Sequence, residues 1–187
     1  LRNTVLFPGV VLPISIGRPR SIQLIKDAYR NDKIVGTVAQ KDPDMENPGY
    51  DDLHSVGTIG QIVKLLEMPD GSTTAIIQGR KRMVLSELVS DDPYFIARVK
   101  PMPERKPEPS SKDFDAIVGS LKDLSLKIIK INSNISPEAS FAIKNIENNT
   151  YLINFICSNT DIKVQDKQKL LEINSIRDRG FMLLEFL

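Results

Sequence analysis

Pro101-Met102-Pro103-Glu104-Arg105-Lys106-Pro107-Glu108-Pro109-Ser110-Ser111 divides this chain into two halves of opposite hydrophobic period. The stretch holds four prolines and no large aliphatic residue except Met102. Proline has no backbone N–H and a fixed φ, so such a run neither joins a sheet interior nor continues a helix. Before it, apolar residues come in short β-branched runs punctuated by glycine; after it, they recur at helical spacing to the last residue. The expected class is α+β. A β-rich module should cover residues 1–100, a proline-rich linker 101–111, and an α-helical bundle 112–187.

Toward the N-terminus, Val5-Leu6-Phe7 runs into the turn signal Pro8-Gly9, and Val10-Val11-Leu12-Pro13-Ile14-Ser15-Ile16 resumes beyond it. Both read as strands, and Pro13, which cannot donate to a ladder, places its strand at an edge or bulge. Pro19 suits the first turn of a helix; Ile22, Leu24, Ile25 and Ala28 follow at helical spacing, up to Asn31-Asp32. Lys33 to Gln40 reads as a strand and residues 41–54 as a long exposed loop. A strand from Val56 to Met68 then turns at Pro69-Asp70-Gly71, and Ser72 to Gln78 runs back. Met83 to Val89 and Phe95 to Val99 supply two more. Seven or so short strands with one helix suggest a closed or nearly closed barrel.

Toward the C-terminus, Phe114, Ile117, Leu121, Leu124, Ile128 and Ile131 step by three and four, a heptad seam that Val118 and Ile129 widen for globular packing. The helix should end near Asn132-Ser133-Asn134, and Ser136-Pro137-Glu138 opens another. Residues 150–158, 164–173 and 175–187 complete about five helices. Met182, Leu183, Phe186 and Leu187 read as packing on something outside the chain. Leu1 opens in a strand-like run without an initiator Met, so a piece of a longer polypeptide is expected.

Composition narrows the chemistry. The net charge of +1 gives no global field for nucleic acid or an acidic membrane, and no apolar run approaches the ~20 residues that span a bilayer. One Cys and one His make no zinc set, and there is no G-x-x-x-x-G-K-[ST] phosphate loop. His54 stands beside Asp51 and Asp52 in a loop and reads as a surface residue rather than a base. Cys157, in an apolar run, reads as a buried core thiol, and a lone cysteine fits a reducing compartment. Gly57-Thr58-Ile59-Gly60 reads as a close-packing or bulge site. Arg80-Lys81-Arg82 is the densest basic cluster; without interleaved aromatics it reads as a solvated strand edge before a nucleic-acid patch.

Leu1 to Gly9 (Leu-Arg-Asn-Thr-Val-Leu-Phe-Pro-Gly), then Leu12-Pro13 and Gly17-Arg18, resembles the opening of the Lon protease N-terminal domain. Val38-Ala39-Gln40-Lys41-Asp42-Pro43, Asp51-Asp52-Leu53 before Val56-Gly57-Thr58, and the Leu66 to Gly71 hairpin with Gly79 and Arg82 beyond it are similar too. So are Asp166 to Glu172 and Arg177-Asp178-Arg179 near the end. The resemblance implies a PUA-like pseudobarrel followed by a helical subdomain, in an ATP-dependent, homo-oligomeric serine peptidase with a Ser-Lys dyad, a hexamer in the full-length protein. ATP and Mg would belong to modules outside this chain, which would itself hold no catalytic residue and no cofactor. The setting implied is cytoplasmic, with no membrane partner. The partners implied are unfolded or damaged proteins and further copies of the same chain. A recogniser of unfolded chains wants an apolar patch beside a free strand edge, so the candidate contact residues are Phe7, Pro8, Val10, Val11, Pro13, Met68 and Pro69. A standalone ligand or degron reader and a PUA-like nucleic-acid module are the alternatives.

Overall fold

A computed structural model describes residues 1–69, 71–108, 111–132 and 137–187. Asp70 of the expected hairpin turn, Pro109 and Ser110 of the proline-rich stretch, and the helix boundary residues Ser133, Asn134 and Ser136 lie outside the described residues. The chain divides into two compact units, Leu1–Pro103 and Glu104–Leu187.

The first unit is built on five strands: β1 Val11–Ile16, β2 Ile34–Thr37, β3 Val56–Glu67, β4 Thr73–Ser90 and β5 Ile96–Pro101. All ladders are antiparallel, in the order β1-β4-β3-β2, with β5 also on β4. The path is open, and the barrel expected to be closed or nearly closed is a curled half-barrel. Two expected strands are in fact one: β4 runs 18 residues without a break through Gly79-Arg80-Lys81-Arg82. Its ladder to β3 passes from Gly60↔Gly79 to Thr58↔Arg82 across a bulge, which absorbs the extra residue and bends the strand.

Val5-Leu6-Phe7 is buried but forms no strand. These residues cross the sheet, where glycine opens room for them. A Cβ on Gly79 would lie 2.2 Å from the Phe7 carbonyl oxygen, and one on Gly57 2.2 Å from that of Thr37. The Thr58 hydroxyl donates to the Leu6 carbonyl at 2.6 Å, pinning the crossing. The Gly57 to Gly60 pair is thus a close-packing and bulge site, as its sequence suggests.

Helix α1, Pro19–Arg30, packs Ile22, Leu24, Ile25, Ala28 and Tyr29 onto one face of the sheet, over Ile16, Val35, Ile62, Ala75 and Ile77. Pro19 sits in its first turn, as its fixed φ favours. The buried Gln40 side chain donates to the carbonyls of Asp42 and Met45 and accepts from Arg18, which shapes the loop that follows β2.

The second unit holds α2 Lys112–Ile131, α3 Pro137–Asn145, α4 Asn149–Asn159, α5 Val164–Glu172 and α6 Ile176–Phe186. Side-chain oxygens of Ser111, Asn148 and Ser175 cap α2, α4 and α6 by accepting from the N–H groups of Phe114, Tyr151 and Asp178. The core gathers Leu121, Leu152, Ile153, Ile156, Cys157, Leu170, Leu171, Ile176 and Leu183. Leu183, expected to pack outside the chain, is therefore core. On α2 the expected seam is buried at Phe114, Ile117 and Leu121 with Val118 widening it, but further along burial passes to Ser125 and Ile131 is exposed.

Candidate docking surface

Edge position and register decide what the first unit offers to a partner. The Gly79 N–H donates to the Val10 carbonyl at 2.8 Å, so the even-numbered residues of β1 turn their backbone groups toward β4. Val11, Pro13 and Ser15 therefore turn theirs outward. Pro13 sits opposite Ile76 in an unbroken register, which it tolerates because its missing donor faces away from the ladder. Among the described residues, no backbone bond occupies that outer edge.

Cross-strand partners share a sheet face. Leu12, Ile14 and Ile16 of β1 point to the α1 side, with Ala75, Ile77 and Leu65. The opposite face carries three rows: Val11, Gln78, Gln61 and Ile34; Pro13, Ile76 and Lys64; Ser15, Thr74 and Leu66. A second bulge between Ile62 and Lys64 adds Val63, 55% exposed. The result is a continuous face of mixed apolar and polar residues bordered by the open edge of β1.

The seven residues expected to make the contact do not all reach it. Phe7 and Val10 are core, at 0% and 3% exposure, and Pro8 is half-buried in the turn between them. Val11 (47% exposed) and Pro13 stand on the outer face, while Met68 (49%) and Pro69 project from the β3–β4 hairpin tip. Met68 follows Leu66 by two residues, at the end of the same face. Ile34, Gln61, Lys64, Leu66, Ile76 and Gln78 were missed. Their period-two alternation is visible in the sequence, but their adjacency depends on register, and two bulges hide it.

The basic cluster is not one surface. Arg82 is buried and donates to the Pro103 carbonyl, whereas Arg80 is exposed and donates from Nε and a terminal nitrogen to Gln61 Oε1. His54 is half-buried in its loop. The Cys157 thiol is fully buried, and desolvation pushes it up to about 12, so it is no nucleophile at neutral pH. Among the described residues no group of three or more His, Cys, Asp or Glu could hold a metal, and no helix is long and apolar enough to cross a membrane.

In the second unit Arg179 is the organising charge. Its side chain is 0% exposed and donates to Glu104 Oε1 and Asn154 Oδ1, each at 2.6 Å, and to the carbonyls of Leu170 and Ile173, each at 2.9 Å. It ties α4, α5, α6 and the segment before α2 together. A shallow groove of about 480 Å³ on α6 is lined by Ile173, Arg177, Asp178, Phe181, Met182 and Glu185. It offers charges of both signs and no clear polarity.

Solved structures share this fold. The N-terminal domain of Lon protease from the Mycobacterium avium complex aligns with a TM-score of 0.77 at 18% identity, covering 98% of this chain and 92% of that one. A Lon N-terminal domain protein from Xanthomonas campestris gives 0.66 at 15%, covering 99% and 94%. The family model for the ATP-dependent protease La (LON) substrate-binding domain matches residues 1–187, and the chain belongs to that family. It is 48% identical over 187 residues to Lon protease of Flavobacterium johnsoniae, and 43% over 184 residues to that of Parabacteroides distasonis. It covers 100% and 98% of itself in these matches but spans only 23% and 22% of the relatives' length.

Proposed function

We propose that this chain is the part of an ATP-dependent serine protease that holds unfolded or damaged protein segments before they are processed. The observation that carries this reading is the open edge of β1 beside an exposed apolar face, in a member of a substrate-binding family. An unfolded segment has what such a surface can pair with: unpaired backbone groups and apolar side chains. Val11 and Ser15 would donate to it, Val11, Pro13 and Ser15 would accept from it, and Met68 and Pro69 would extend the contact.

The same reading makes the β unit PUA-like and the helical unit a bundle leading to the remaining modules. Those modules would carry ATP, Mg and the Ser-Lys dyad, leaving this chain without cofactor or catalytic residue. One copy would bind weakly. Copies in a homo-oligomeric ring, expected to be a hexamer, would raise the effective concentration of sites and retain a chain in the cytoplasm long enough for capture. The nucleic-acid alternative has less to rest on, because burial of Arg82 leaves a small exposed cationic footprint at Arg80 and Lys81.

The test is to place Val11→Asp and Met68→Asp in the full-length parent. Degradation of an unfolded protein should slow severalfold while ATP hydrolysis continues. Unchanged degradation would remove this face from substrate recognition.

A further inference from the structure

The charge on the docking face is one-sided. Across β1, β2, β3 and the stretch of β4 from Thr73 to Arg80, the only acid is Glu67. Glu67 lies opposite the buried Thr73, and Lys26 of α1 holds it at 2.7 Å. That contact keeps its carboxylate on the helix side and pulls its pKa down, through the hydrogen bond first and the charge second. Asp32, before β2, accepts from the Ile34 N–H and is engaged by its own turn. On the outer face stand Lys64 and Arg80, both exposed, with no carboxylate paired to either among the described residues.

Their placement is regular. Lys64 pairs with Ile76, and Arg80 lies four residues further along β4. Strand geometry puts the two about 14 Å apart, on either side of the Gln61–Gln78 row. Gln61 accepts two donors of Arg80, and so fixes that guanidinium over the face instead of letting it extend into solvent. An extended segment lying along β4 would present side chains four residues apart to these two cations, with the side chain between them over the Gln61–Gln78 row and its Val11 and Ile34 ends, and side chains beyond Lys64 over Leu66 and Thr74.

Resting on the function proposed above, we infer that this face selects within unfolded polypeptide: it takes partly apolar segments that carry carboxylates about four residues apart, and disfavours basic ones. Charge supplies discrimination, and the apolar side chains of the face supply most of the affinity. The occupant is a polypeptide and not a nucleic acid, because two cations on a face that also exposes Val11, Ile34 and Val63 suit a short apolar segment better than a phosphate backbone.

The experiment uses the 187-residue chain and three fluorescent peptides of about twelve residues, identical and β-prone except at two positions four apart. Those positions carry Glu, Gln or Lys. Anisotropy at low salt should rank Glu tightest, by about fivefold over Gln, with Lys weakest; about 0.5 M salt should erase the ranking without abolishing binding. In the variant Arg80→Glu with Lys64→Glu the Lys peptide should become the best ligand, and Arg80→Gln with Lys64→Gln should level all three. Circular dichroism checks that each variant is folded. If the peptides bind equally, or the ranking survives charge reversal, the selectivity is wrong while the docking reading stands. If none binds, both fall. Tighter binding of a single-stranded oligonucleotide than of the Glu peptide would also overturn the inference.

Discussion

Gly79 and Gly17 are the same residue type under opposite constraints. The Cβ of an alanine at 79 would meet a backbone carbonyl, whereas one at 17 would meet nothing within 4 Å. Gly79→Ala should therefore lower stability by about 1–3 kcal/mol or more, since backbone must move. Gly17→Ala should be neutral or stabilise by about 0.5 kcal/mol through the unfolded chain. Thermal unfolding of the two variants side by side checks both. Arg179 makes the second residue-scale case. Arg179→Met would leave Glu104 and Asn154 without the donor that bonds both, and should cost about 3–5 kcal/mol. Arg179→Lys should fail to rescue, because an ammonium cannot supply the guanidinium's spread of donors. Urea unfolding followed by helical dichroism would measure it; a loss under about 1 kcal/mol would mean the network contributes little.

Elements were legible where local chemistry decides them. Pro19 at a first turn, and the three-and-four spacing of Phe114, Ile117 and Leu121, mark helices in the sequence because they are satisfied within a few residues. Legibility failed where distant packing decides. Val5-Leu6-Phe7 has strand composition but is held across the sheet by Thr58 and Gly79, and β4 continues through a glycine and three cations because a bulge carries it. The docking face was half legible: Val11 and Pro13 follow from period two and the proline rule, whereas Lys64 and Ile76 meet them only once register is known. At this scale Pro13 has its own consequence. It removes one outward donor from an otherwise open edge, which limits pairing between copies. Pro13→Val should restore that donor, tighten binding of extended peptides and raise self-association, read by anisotropy and by light scattering. Unchanged values in both would mean the edge is not a pairing surface.

The whole molecule brings together in one unit an exposed, partly apolar face and a strand edge that, among the described residues, carry no carboxylate and no backbone partner, while the other unit is organised around a buried charge. The most direct measurement is an NMR titration of the chain with an unfolded polypeptide and, separately, with its folded counterpart. The account predicts shifts at Val11, Ser15, Gln61, Lys64, Leu66, Met68, Ile76 and Gln78 with the unfolded chain alone. Shifts confined to the α6 groove around Phe181 and Met182, or no shifts at about millimolar ligand, would contradict it.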